Sequence, residues 1–85
     1  MAHFARVNNN TVDEVIVIAN SDCDDLPFPD SEPVGQAFIA SLGIEGEWLQ
    51  TSYSGSFRNI YAGPGTLFDP TLGKYGEFHT PIPVE

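Results

Sequence analysis

Cationic side chains are scarce in this chain. Three Lys and Arg residues stand against twelve Asp and Glu, giving a formal net charge of −9. Binding to nucleic acid draws on clustered Lys and Arg that release counterions from phosphate. Arg6, Arg58 and Lys74 are isolated from one another, so direct contact with DNA or RNA is not expected. An acidic surface also favours solubility and repels anionic membranes. Cysteine is nearly absent: Cys23 is the single one, which excludes a disulfide within the chain. One Cys and two His also cannot complete a closed tetrahedral zinc site of ordinary spacing. Long apolar runs are missing. The longest, Val15 to Ala19, is far too short to span a bilayer. The opening Met1–Arg6 has neither the basic start nor the apolar stretch of a signal peptide. Synthesis in the cytoplasm, without membrane association, is the expectation.

What is present fits one small domain. A chain of 85 residues buries only about 60% of its unfolded surface on folding, and such chains often borrow stability from a partner. Residues 2–7 alternate as a strand around Phe4, and Asn8-Asn9-Asn10 supplies a turn that tolerates left-handed backbone. Thr11 to Ala19 reads as a second strand. Its Val15-Ile16-Val17-Ile18 centre is β-branched on both faces, as suits a strand covered on both sides. The two make a hairpin. Residues 20–33 are acidic and Pro-broken, a surface loop.

Ser31 is placed to cap a helix, with Glu32 and Pro33 in its first turn. Val34, Ala37, Phe38 and Leu42 share one helical face, and Gly43 is placed to end it. Strands are expected at Glu47–Tyr53 and, after Ser54-Gly55-Ser56, at Phe57–Ala62. Gly63-Pro64-Gly65 breaks the chain, and Thr66–Phe68 then pairs with Tyr75–His79. The fold class is α+β: a small, mostly antiparallel sheet with one short helix packed on a face. The domain spans 1–79, and 80–85 forms an extended, Pro-containing tail.

Four features invite a chemical reading. Asp22, Asp24 and Asp25, with Asp30 and Glu32, offer oxygen ligands for Ca²⁺ on a loop, but the spacing lacks the Gly and terminal Glu of an EF-hand. A solvated loop is the preferred reading, and no metal or cofactor is expected. Cys23 with His3 or His79 would be a thiol and its base. Neighbouring carboxylates disfavour the thiolate, so an ordinary thiol is preferred. Gly63-Pro64-Gly65 lacks the successive N–H groups, the Lys and the helix of a phosphate loop. The aromatics are the strongest feature. Trp48, Tyr53, Phe57, Tyr61, Phe68, Tyr75 and Phe78 crowd the second half. A domain this small cannot bury them all, and rings beside Arg58 are the residue types that dominate interface hot spots.

The run from Trp48 to Gly63, Trp-Leu-Gln-Thr-Ser-Tyr-Ser-Gly-Ser-Phe-Arg-Asn-Ile-Tyr-Ala-Gly, resembles small virion-associated or uncharacterised proteins of marine tailed phages, cyanophages among them. Those proteins also tend to open with Met-Ala-His-Phe-Ala, then an Asn-containing turn and a Val/Ile strand ending near Asn. Met1–Ala5 and Val15–Asn20 match this. Gly63-Pro64-Gly65 stands where the family more usually has Gly-Ile-Gly.

The resemblance implies a particle component and brings no catalytic residues. The expected function is a non-enzymatic structural accessory of a phage virion, made in the host cytoplasm: a capsid decoration or cement protein docking on the major capsid lattice. Trp48, Tyr53, Phe57, Arg58 and Tyr61 are the expected contacts, with the N-terminal strand as a sheet-edge partner. The partner is the major capsid protein or another virion protein, and self-association is left open. Two rival readings stand beside it: a tail, baseplate or fibre component or fibre-assembly helper, and a small acidic intracellular phage protein that binds a host protein.

Overall fold

The computed structural model describes residues 1–81. Five strands and one α-helix follow in the order β1 (Ala2–Asn8), β2 (Thr11–Ile18), α1 (Ser31–Ser41), β3 (Glu47–Thr51), β4 (Leu67–Asp69) and β5 (Glu77–His79), with a 3₁₀ turn at Asn20–Cys23. The strands form one antiparallel sheet in the order β3-β1-β2-β4-β5. The α+β class and the antiparallel sheet with a single helix are as the sequence implies.

β1 and β2 form the hairpin, with Asn9 and Asn10 at φ 53° and 61° in its turn. A bulge at Arg6/Val7 shifts the register. Because β1 is central, both of its faces are buried. Ala2 and Phe4 point to one side, where they pack with Ile18, Cys23, Ile39 and Trp48 beneath the helix. Ala5 and Val7 point to the other, where Val12, Leu49, Ala62, Phe68 and Phe78 cover them. Phe4 and Ala5 are neighbours in the chain and each is 0% exposed. A pleated strand buries successive residues in this way only when a layer lies on each side. The second layer is the curled β4–β5 hairpin together with the irregular segment around Ile60 and Ala62.

Several elements depart from the sequence reading. Residues 57–62 form no strand, because Arg58 and Asn59 adopt φ 54° and 76°, a left-handed pair incompatible with an extended chain. β1 is an interior strand, so it is not a sheet edge; β3 and β5 are the outer strands. Ser31 does not cap α1. It is the first helical residue, 1% exposed, and its hydroxyl donates to Gln50 Oε1 at 2.6 Å. Asp30 occupies the cap position without a side-chain bond. Instead, the N–H groups of Ser31 and Glu32 donate to the carbonyls of Pro27 and Pro29 at 3.0 and 3.1 Å, which satisfies the helix start without a cap side chain.

The buried stripe of α1 is Ser31, Gly35 and Ile39, rotated from the expected one. Ala37 and Leu42 face outward, Leu42 being 56% exposed. The stripe follows Gly35: a methyl group there would overlap the Phe4 ring, so the absence of a side chain lets the helix approach the sheet closely. Gly43 closes the helix at φ 79° as expected. Of the expected tail, residues 80 and 81 continue without regular structure, and 82–85 lie outside the described residues.

Candidate functional site

The five aromatic and cationic contacts expected from the sequence divide into three groups by exposure. Trp48 and Arg58 are buried, at 4% and 9% exposure. Trp48 lies under the helix, donates its indole N–H to Glu45 O at 3.2 Å, and carries the Arg6 guanidinium 5.4 Å above its ring. It belongs to the scaffold and, at 4% exposure, presents almost no surface.

Arg58 is the hub of a polar seam. Its guanidinium donates to both carboxylate oxygens of Glu32, to Gln50 O at 2.9 Å and to Tyr75 O at 3.0 Å. It also lies 5.2 Å from the Phe28 ring centroid and 5.7 Å from that of Phe68. The left-handed backbone at Arg58 points its own carbonyl to Phe78 N at 3.0 Å, and Asn59 Nδ2 donates to Phe78 O at 3.0 Å.

This seam closes both edges of the sheet. On the outer side of β3, Gln36 Nε2 donates to Trp48 O at 2.6 Å, Gln50 N–H donates to Glu32 Oε2 at 2.7 Å, and Arg58 takes Gln50 O. On the outer side of β5, Arg58 O and Asn59 Nδ2 take both backbone groups of Phe78. Side chains and a loop thus do what a sixth strand would do, and remove two edges that would otherwise template association. Arg58 therefore has an internal task. It is displaced from the expected contact set because it is 9% exposed and four of the five guanidinium N–H donors are already engaged inside the fold.

Phe57 is half-buried and stacks on Phe28, with ring centroids 3.8 Å apart and planes 1° from parallel. Tyr75 meets Phe28 edge-on at 4.9 Å. These rings roof the Arg58 seam.

Tyr53 and Tyr61 are the two expected contacts that face solvent, at 72% and 39% exposure. The structure brings them together across eight residues of chain. Their centroids are 5.2 Å apart, edge to face. Both meet His3, which stacks on Tyr53 at 5.6 Å and meets Tyr61 edge-on at 5.5 Å. Such geometries stabilise aromatic pairs beyond their area alone. β1 places His3 beside Thr51 of β3 and Val17 of β2. Val17, 47% exposed, therefore extends the patch. Burial, then the nearby N-terminal charge, pushes the His3 imidazole below its ordinary value. A cleft of about 260 Å³ lined in part by His3, Ser52, Tyr53, Ser54 and Phe57 adjoins the rings.

His3 and Val17 were not among the expected contacts. Their membership depends on strand register: His3, Val17 and Thr51 share one face only because β1 pairs with both neighbours at that level. Thr51 anchors the second ring through the backbone, donating to Ile60 O at 3.4 Å and accepting from Ala62 N at 2.9 Å.

The remaining candidates do not assemble. Asp22, Asp24 and Asp25 form no group of three metal-binding side chains, and none exists among the described residues. Asp24 and Asp25 are turn residues at φ 56° and 54° whose N–H groups donate to Ser21 O and Asn20 O. Cys23 is 1% exposed under Phe4 and Gly35. Burial, and then the Asp22 and Asp24 charges, push its thiol up, against a role as nucleophile. Gly63-Pro64-Gly65 is a turn that hands Gly65 N and Thr66 O to Val12, each at 2.8 Å. No helix among the described residues is long and apolar enough to cross a membrane. Compared with family models, curated proteins and solved structures, the chain matches none.

Proposed function

We propose that this protein is a non-enzymatic docking module that binds another protein through the His3–Tyr53–Tyr61 face, and that it serves as a structural accessory of a phage particle, as a decoration or cement protein on the capsid lattice. The observation that carries the docking reading is the ring cluster itself. Tyr53 is 72% exposed while held on both sides by His3 and Tyr61. A large ring already fixed in place loses little side-chain entropy on binding, which is why Tyr anchors interfaces. The scaffold supports the same reading, since Arg58 ties Glu32 of α1, Gln50 of β3 and Tyr75 together beside the segment that carries Tyr53 and Tyr61. The non-enzymatic reading is supported by the buried, proton-retaining Cys23 thiol and by His3 being committed to ring stacking.

The particle setting rests on the resemblance of Trp48–Gly63 and Met1–Ala5 to small virion proteins of marine tailed phages, and the capsid position on the acidic, outward-soluble surface expected of a lattice decoration. Quantitative mass spectrometry of purified particles from the phage that carries this gene tests it. Hundreds of copies per particle are the expected outcome. A handful would move the protein to the tail or fibre. Absence from the particle would overturn the virion reading and leave docking on a host protein.

A further inference from the structure

We infer that the edge of β2 at Val15–Val17 is a strand-addition site for an extended segment of a different protein, apolar at its centre and carrying Lys or Arg at its ends. The site deepens the docking reading above and rests on it.

The pattern of backbone bonds identifies the edge. Trp48 O and Gln50 N and O point away from β1, because Gln36, Glu32 and Arg58 engage them. The pairs Arg6·Trp48 and Phe4·Gln50 are therefore the non-bonded pairs of that ladder. Phe4 and Arg6 must then direct their N–H and C=O groups to β2, where they face Ile16 and Glu14. Alternation leaves Val15 and Val17 pointing their N–H and C=O groups outward. β4 cannot meet them, since it joins β2 only at Thr11, assisted by bonds at Asn10 and Val12. Among the described residues, no other element donates to or accepts from these four groups. An open edge here contrasts with β3 and β5, where side chains cap what strands leave unpaired. It also lies beside the ring patch, because Val17 is the cross-strand neighbour of His3.

Charge selects the occupant. Asp13 and Glu14 stand exposed at one end of the open stretch, where Arg6, at 2.7 Å from Asp13 and 3.9 Å from Glu14, offsets one of the two charges, and Asp22, Asp24 and Asp25 follow Val17 in the chain at the other. A second copy would bring a further net charge of −9 and the same carboxylates to this edge, so self-pairing is opposed. A segment with Lys or Arg at its ends meets both acidic flanks, while β-branched or aromatic residues between them lie against Val17 and Tyr61.

The test uses a synthetic seven-residue peptide of alternating Val and Thr with Lys at each end, and its Glu-ended counterpart. Hydrogen exchange of the full chain is followed by NMR at the Val15 and Val17 amides. Fast exchange in the free protein, and protection by the Lys peptide but not the Glu peptide, is the expected result. Val17→Pro deletes one outward donor and leaves the β1 ladder intact. It should keep the melting transition and weaken the Lys peptide about tenfold. Slow exchange at both valines in the free monomer would overturn the site, as would concentration-dependent dimerisation that protects them. No protection by millimolar Lys peptide, or undiminished binding to the folded Val17→Pro variant, would also overturn it. Docking through the rings is read separately. If Tyr53→Ser abolishes binding to particles while Val17→Pro does not, strand addition fails and the docking face stands.

Discussion

Arg58 and Tyr61 lie three residues apart, but one is 9% exposed with its guanidinium bonded to two side-chain and two backbone partners' oxygens, and the other is 39% exposed on a ring cluster open to solvent. The same irregular segment builds both regions. Around Arg58 it replaces a strand: polar groups from α1, β3, β5 and the 70–76 turn bond to one another, and four of the five guanidinium donors are spent there. Around Tyr53 and Tyr61 the segment supplies apolar area without covering it. The difference teaches that residue type alone does not mark an interface. Arg and Trp are favoured hot-spot residues in general, and here both are consumed by the fold.

The contrast breaks most visibly at Arg58. Arg58→Ala leaves the Glu32 carboxylate, 16% exposed, without its partner; breaking a fully buried pair costs about 3–5 kcal/mol, and the loss here should approach the lower end of that range. A melting temperature lower by about 12 °C or more, or a chain unfolded at room temperature, is expected by circular dichroism. Arg58→Lys should rescue only part of this, since an ammonium cannot reach Glu32, Gln50 and Tyr75 together in the planar fork. A melt close to that of the parent chain for Arg58→Ala would show the seam to be decorative.

Gly35→Ala is the next largest. In an exposed helix interior this change stabilises by roughly 1 kcal/mol. Here the new methyl meets the Phe4 ring, and overpacking of this kind costs about 1–3 kcal/mol. Chemical denaturation should therefore show a loss of stability, and a gain would mean that the helix is free to lift from the sheet.

Two titrations sharpen the comparison from opposite sides. The Cys23 thiol is raised in the folded chain, so its contribution is complete below the unfolded value of about 8.5 and is lost as pH rises beyond it, where the unfolded chain alone gives up the proton. Cys23→Ala should flatten this alkaline loss. The His3 imidazole is lowered, so its contribution is complete above the unfolded value of about 6.5 and declines as pH falls, where the unfolded chain alone takes up the proton. His3→Gln should flatten that acidic slope. Denaturation curves from mildly acidic to alkaline pH would measure both. Equal slopes in parent and variants would remove these groups from the account.

The smallest effect on stability is expected at the rings. Tyr53→Ser removes a ring that is 72% exposed, and Tyr61→Ser one that is 39% exposed and meets His3 and Tyr53 edge-on, so each costs about 1 kcal/mol or less.

Much of the fold was legible in the chain because its signals are local. The Asn8–Asn10 turn, the β-branched run of β2, the Gly43 stop and the final hairpin each depend on a few adjacent residues. The missed features depend on distant ones. Phe57–Ala62 has the composition of a strand, and nothing local says that Arg58 will turn inward to meet Glu32 from a helix 26 residues away. The buried stripe of the helix is not legible because Gly35, which carries no apolar side chain, is the residue that touches the sheet. Within the candidate site, counting rings against a small core implies that some stay exposed but not which: Tyr53 and Tyr61 do, while Trp48, read alongside them, is buried. The addition of His3 and Val17 required the strand order, which places an N-terminal residue beside the 53–61 segment.

The most direct measurement compares the parent chain with the Tyr53→Ser/Tyr61→Ser double variant, in the same preparation, for melting temperature and for binding to particles depleted of the native protein. A melting temperature lowered by only a few degrees with binding lost is the predicted result, as follows if the proposed face docks while the Arg58 seam holds the fold. Binding retained at full strength, or a collapse in melting temperature, would contradict the division of labour between the two regions.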